Sequence, residues 1–196
     1  MKSDLVLAGV GGQGILTIAA IIGQAAVSQN IHVKQSEVHG MAQRGGSVVA
    51  HLRLSSDPIA SDLIAEGTAD ILLSMEPLEA LRHASYLKSD GVLLTNTTPV
   101  VNIDSYPEMD KITAELKHFK RTVILDGDAM AQTITGSARA VNMILLGAVS
   151  VFLDMPSEIF IEIIKKMFAR KGDAIVEANI KAYKAGQSSA RAASQG

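Results

Sequence analysis

Two rhythms of apolar and polar positions alternate along this chain. The first is the short continuous apolar run, such as Leu5-Val6-Leu7-Ala8, stopped by glycine or a small polar residue. Runs of this kind, too short for helices, are read as strands buried on both faces of a sheet. They predict strands over Lys2–Ala8, Ile31–Gln35, Val48–Leu54, Ala69–Ser74, Gly91–Asn96 and Thr122–Asp126. The second rhythm is helical: from Gly14 to Gln29, Ile15, Ile18, Ala19, Ile22 and Ala26 recur on one face. Pro77 suits the first turn of a helix running to Tyr86. Beyond Asp126 the pattern is helical throughout, with Val141–Phe152, Pro156–Phe168 and Asp173–Ala185 as candidates.

Strands alternating with helices define an α/β fold. The expectation is a single-domain, mainly parallel sheet flanked by helices, Rossmann-like, with a helical C-terminal part. The domain is placed at residues 1–187. The small, polar stretch Ser188 to Gly196 is expected to fray as a flexible tail. The interval from Thr97 to His118, with Pro99, Pro107 and mixed charges, reads as an irregular loop.

Composition narrows the function. With 47% hydrophobic and 19% charged residues the chain is an ordinary globular protein. A formal net charge of −2 gives no basic surplus to recruit nucleic acid or anionic lipid. No apolar run reaches the ~18 residues of a membrane span, and no signal-peptide pattern opens the chain, so a cytoplasmic protein is expected. The sequence has no cysteine. A disulfide, a thiol nucleophile and a Cys-ligated iron–sulfur cluster are therefore excluded from this chain's own chemistry. Electrons of any redox reaction must pass through another chain.

The candidate chemistry lies in two glycine-rich segments. Gly9-Val10-Gly11-Gly12-Gln13-Gly14 has the G-x-G-x-x-G spacing between a strand and a helix. Amides at such a helix start, aided by its dipole, hold a phosphate or carboxylate. An NAD site also requires an acidic residue about 20 positions on, and Lys34, Gln35 and Ser36 stand there, with Glu37 late. The segment thus reads as an anion site of some kind, or as a tight strand-to-helix turn. The second segment, Ser36 to Ser47, sets Glu37, His39, Gln43 and Arg44 among Gly40, Gly45 and Gly46. Arg44 offers a planar fork to an anion, and the competing reading is a self-pinned loop with a Glu37–Arg44 ion pair. From Val38 to Leu52, Arg44 is the only formal charge with histidines neutral, which suits a surface that a partner covers. Asp126-Gly127-Asp128 inverts the Gly-Asp-Gly start of a thiamine diphosphate motif, and Asp128 is read instead as a helix cap.

Together with Asn142-Met143-Ile144-Leu145-Leu146-Gly147-Ala148, these two segments resemble one family closely, the gamma domain of the pyruvate and 2-oxoacid:ferredoxin oxidoreductases. The resemblance runs from about residue 3 to residue 185. It implies a subunit that supports oxidative decarboxylation of an aryl or other 2-oxoacid to acyl-coenzyme A. Thiamine diphosphate and iron–sulfur clusters are then expected on a large partner subunit, which passes electrons to ferredoxin. The resemblance further implies coenzyme A as a possible ligand of this chain, with Gly11, Gly12, Gln13, Gly14, Gln43, Arg44, Gly45 and Gly46 facing it or the partner. No catalytic residue and no metal ligand is assigned, and the isolated chain is expected to be inactive. The alternatives are a stand-alone NAD- or flavin-binding oxidoreductase and a ligand-free scaffold.

Overall fold

The computed structural model describes residues 1–39 and 45–194. Six strands form one sheet: β1 (Lys2–Val10), β2 (His32–His39), β3 (Ser47–Ser55), β4 (Ala69–Ser74), β5 (Leu87–Asn96) and β6 (Thr122–Leu125). Their spatial order is β2-β3-β1-β4-β5-β6. The four strands β1, β4, β5 and β6 run parallel, and β3 pairs antiparallel with both β1 and β2. The sheet is therefore mixed. A buried apolar run fixes the existence of a strand but not its direction, so the reversal of β3 has no signature in its sequence.

Period-2 alternation sorts the strand side chains between two cores. Leu5, Leu7, Leu52, Leu54 and Leu73 join one cluster, which also holds the buried faces of α1 (Ile15–Ser28), α5 (Val141–Ser150), α6 (Ser157–Phe168) and α7 (Asp173–Ala193). Val6, Ala8, Leu72 and Leu93 face the other cluster, covered by α2 (Pro77–Arg82) and α3 (Met109–Leu116). A further helix, α4 (Gly127–Thr135), follows β6. All five residues expected on the inner face of α1 are buried. On the first face, α5 and α7 cross unusually closely. A Cβ on Gly147 would stand 1.9 Å from the Tyr183 carbonyl oxygen, and one on Gly186 1.8 Å from that of Ile144.

Several elements differ from the sequence expectation. β2 continues through Ser36, Glu37, Val38 and His39, which read as loop, because the β3 register pairs them residue for residue. The interval Thr97–His118 contains α3, anchored by the buried Ile112 and Leu116. The stretch from Ser188 continues α7 to Ala193, and Ala190 is fully buried in it. None of the described helices is long and apolar enough to cross a membrane.

Candidate functional site

Helices leave β1 and β4 for opposite faces of the sheet, so a crevice opens between the C-terminal ends of these neighbouring strands. The first glycine-rich segment lies there, and Gln13 holds it in place. Its side-chain Oε1 accepts the Val10 N–H at 2.7 Å, and its Nε2 donates to the Met75 carbonyl just past β4 at 3.3 Å. Gln13 thus braces the crevice wall. Gly14 then turns into α1 with φ of +88°, and a Cβ there would also stand 2.7 Å from Asn142 Nδ2. Only glycine satisfies both demands.

The start of α1 is open. Gly14 offers no side chain as a cap, and the first turn holds no acidic residue. Among the described residues the amides of Gly12, Gly14, Ile15 and Leu16 make no hydrogen bond. Ile15 and Leu16 are orphan donors of the first helical turn, of which a Ser, Thr or Asp cap would ordinarily satisfy one, and all four lie at or just before the positive end of the helix dipole.

The second segment closes onto the first. The Gly11 N–H donates to the Gly46 carbonyl at 2.8 Å, and Ser47 pairs with Val10 in the β1–β3 ladder. The structure therefore brings Gly11, Gly12, Gln13, Gly14, Gly45 and Gly46 together. Gln43 and Arg44, the other two residues expected there, lie outside the described residues, as does the suggested Glu37–Arg44 pair.

Two buried carboxylates, Glu76 just before α2 and Glu79 within it, stabilise this rim, and no motif in the sequence marks them. Glu79 accepts the Ser47 hydroxyl at 2.5 Å, with Arg82 Nε at 3.3 Å and His83 Nε2 at 3.6 Å. Burial pushes the Glu79 carboxyl up, but His83, Ser47 and Arg82 together outweigh it and hold the group below its ordinary range. Glu76 caps α2 through the Glu79 N–H at 2.8 Å, and its other oxygen accepts the Val100 N–H at 3.3 Å and the Tyr106 hydroxyl. Burial and that bond raise the Tyr106 phenol well above its usual range, so it stays protonated. Asn102, in the same stretch, donates to the Gly45 carbonyl at 2.5 Å.

At the end of β6 the cap is Asp126, not Asp128: Asp126 Oδ1 accepts the Ala129 N–H at 3.0 Å. Asp128 accepts from Asn96 Nδ2 at 2.8 Å, while Asn96 Oδ1 takes the Gly127 N–H at 2.9 Å. Asp128 thereby joins α4 to β5, while Asp126 caps α4 where it leaves β6. The dinucleotide reading also fails geometrically. The strand beside β1 is the antiparallel β3, so β2 and its Lys34, Gln35 and Glu37 are held one strand further away. Among the described residues no group of His, Asp and Glu is placed to hold a metal ion.

Fold and crevice thus define a Rossmann-like module whose first helix starts without a side-chain cap, in a chain without cysteine. The chain belongs to the pyruvate ferredoxin/flavodoxin oxidoreductase family, which it matches over residues 4–189. It is 36% identical to the indolepyruvate oxidoreductase subunit IorB of Archaeoglobus fulgidus, covering 97% of this chain and 96% of that one. Among solved structures, the gamma subunit of a keto/oxoacid ferredoxin oxidoreductase from Geobacter sulfurreducens superposes with a TM-score of 0.70 at 23% identity, over 97% of this chain and 99% of the other. The 2-oxoglutarate:ferredoxin oxidoreductase of Magnetococcus marinus, with 2-oxoglutarate, coenzyme A and succinyl-CoA bound, gives a TM-score of 0.78 at 20% identity. This chain is covered to 97% in that match but spans only 31% of that larger chain.

Proposed function

We propose that this chain is the small subunit of an indolepyruvate:ferredoxin oxidoreductase, and that its crevice receives the pyrophosphate of coenzyme A. The nearly full-length likeness to an indolepyruvate oxidoreductase subunit supports the first part. The second rests on one observation: the uncapped start of α1, with four amides unclaimed among the described residues. The reaction as a whole consumes a 2-oxoacid and coenzyme A, releases carbon dioxide and acyl-coenzyme A, and delivers two electrons to ferredoxin. A large partner subunit holds thiamine diphosphate and the iron–sulfur clusters, and the absence of cysteine from this chain supports the placement of the clusters. The complex works in the cytoplasm.

In this reading the protein's own contribution is positioning. Amides of Gly12, Gly14, Ile15 and Leu16 bind the diphosphate without any change in protonation. Gln13, Glu76 and Glu79 keep the two glycine-rich segments in register. Heating the purified chain with coenzyme A, NAD or flavin, and repeating the measurement on the reconstituted complex, tests this. Coenzyme A alone is expected to raise the melting temperature, since ligand at a hundredfold excess over its Kd stabilises by about 2.7 kcal/mol. A rise with NAD or flavin instead, or none with coenzyme A in either preparation, refutes the assignment.

A further inference from the structure

The loop that leaves β5 reaches across the mouth of the crevice. Thr95 near the end of β5 is paired with Ser74 of β4, and β3 begins at Ser47, opposite Val10 of β1. In the order β3-β1-β4-β5, a segment leaving β5 must pass the ends of β4 and β1 to touch the start of β3. That span is three strand spacings, or about 14 Å. The loop covers it, for Asn102 Nδ2 donates to the Gly45 carbonyl at 2.5 Å. The Gly45 N–H donates to the Gly11 carbonyl at 3.5 Å, and the Gly11 N–H to the Gly46 carbonyl at 2.8 Å. The loop thus connects the β4 wall of the crevice with its β1 wall.

Base and tip of this loop are held very differently. At the base a single atom, Glu76 Oε1, accepts both the Val100 N–H at 3.3 Å and the Tyr106 hydroxyl, which pinches residues 100–106 into a compact Ω-loop. Glu76 is 1% exposed, and Tyr106 packs against the apolar cluster beneath α2 and α3. At the tip Val101 is 70% exposed, and Asn102, Asp104 and Ser105 are exposed with it. Among the described residues no hydrogen bond or ion pair other than that of Asn102 with Gly45 ties residues 101–105 to the rest of the protein. A tip held by one neutral bond at an exposed site can leave while its buried, charge-pinned base stays in place. We propose that residues 101–105 form a gate over the crevice, hinged at Glu76 and latched by Asn102 on Gly45, which opens to admit coenzyme A and closes to retain it. The proposal rests on the reading of the crevice as the coenzyme A site.

The test joins hydrogen exchange to the binding kinetics of coenzyme A, on the reconstituted complex carrying wild type, Asn102→Ala or Asn102→Asp. The second variant keeps the size of the side chain but loses the donor. Asn102 is exposed, so both variants should fold with unchanged melting temperatures. In both, amides of residues 101–105 should exchange about tenfold faster, the size of effect that one lost hydrogen bond allows, while the Val100 amide keeps its wild-type rate. Coenzyme A should enter and leave the variants faster by similar factors, with its Kd nearly unchanged, whereas a merely structural contact would alter Kd. In the wild type, bound coenzyme A should slow exchange at the tip. Wild-type exchange and binding rates in both variants overturn the gate. So does an equal acceleration at Val100, because the loop would then loosen as one piece. Thermal shifts separate the two readings. If coenzyme A raises the wild-type melting temperature but the variants bind and release it at wild-type rates, the gate is wrong and the crevice stands. If coenzyme A stabilises none of the three, both fall.

Discussion

His51 shows how a single side chain ties a strand to a loop. It lies on β3, 5% exposed, and its Nδ1 accepts the Ile64 N–H at 2.9 Å. Tyr86 meets the imidazole edge-on with 5.0 Å between centroids. An acceptor nitrogen must carry no proton, so this geometry requires the neutral ring. Burial lowers the His51 pKa, the charges of His83 and Arg53 lower it further, and Asp62 opposes them. A group whose folded pKa lies below its unfolded value contributes stability above the unfolded pKa, near 6.5, and loses it as pH falls through the folded value. The melting temperature should therefore begin to fall once the pH drops below about 6.5, before carboxylates titrate. In His51→Asn, which keeps a neutral acceptor, this early part of the acid limb should be absent, although the variant is less stable at neutral pH. Melting curves from pH 8 to pH 5 check it, and an identical early slope in both proteins excludes His51 as its source.

Among the elements, α5 and α7 illustrate packing that the residues announce only in part. Gly147 and Gly186 let the two backbones approach so closely that a Cβ on either would meet a carbonyl oxygen inside 2 Å. Because the obstacle is backbone, no side-chain rotation relieves it. Gly147→Ala should cost more than the 1–3 kcal/mol typical of an overpacked core, although alanine is the better helix former in isolation. Urea unfolding measures this; a neutral or stabilising result would mean that the helices lie farther apart. The same packing explains why α7 outruns its pattern. Its last turns bury small residues such as Ala190, which produce no apolar rhythm. In contrast α1 was fully legible, since its isoleucines carry the face that the core takes up. β2 was half legible, because an edge strand in a hairpin is held by ladder bonds to β3 and its polar residues face water. The glycine-rich crevice was legible as a location. The task of Gln13 was not, since its partner Met75 is distant in sequence and contributes only a backbone oxygen.

At the scale of the whole molecule, the features that face outward lie along one rim. The open start of α1, the junction of Gly11 with Gly46, and the edge strand β2 all belong to the end or flank of the sheet where the glycine-rich segments meet. Among the described residues β2 is ladder-bonded to β3 alone and lies at the edge of the sheet, and Val38 on it is 58% exposed. An uncovered edge with an apolar side chain is ordinarily blunted by charge, proline or a covering element. Lys34 and Glu37 supply charge along β2 itself, but beyond them the sequence from Val38 to Leu52 offers only Arg44, so the end of the edge around Val38 is the part that suits a partner surface. The proposed function calls for such a partner as well, because a chain without cysteine lacks the thiolates that ordinarily ligate iron–sulfur clusters. Two outcomes are expected together. The pure chain, supplied with thiamine diphosphate, a 2-oxoacid and an artificial acceptor, should show no turnover. On co-expression with the large subunit, hydrogen exchange at Ser36–His39 and at Gly45–Gly46 should slow relative to the chain alone, while α7 on the opposite flank changes little. Turnover by the pure chain would overturn the division of labour. Equal exchange at these amides in the complex and alone would place the interface on another face.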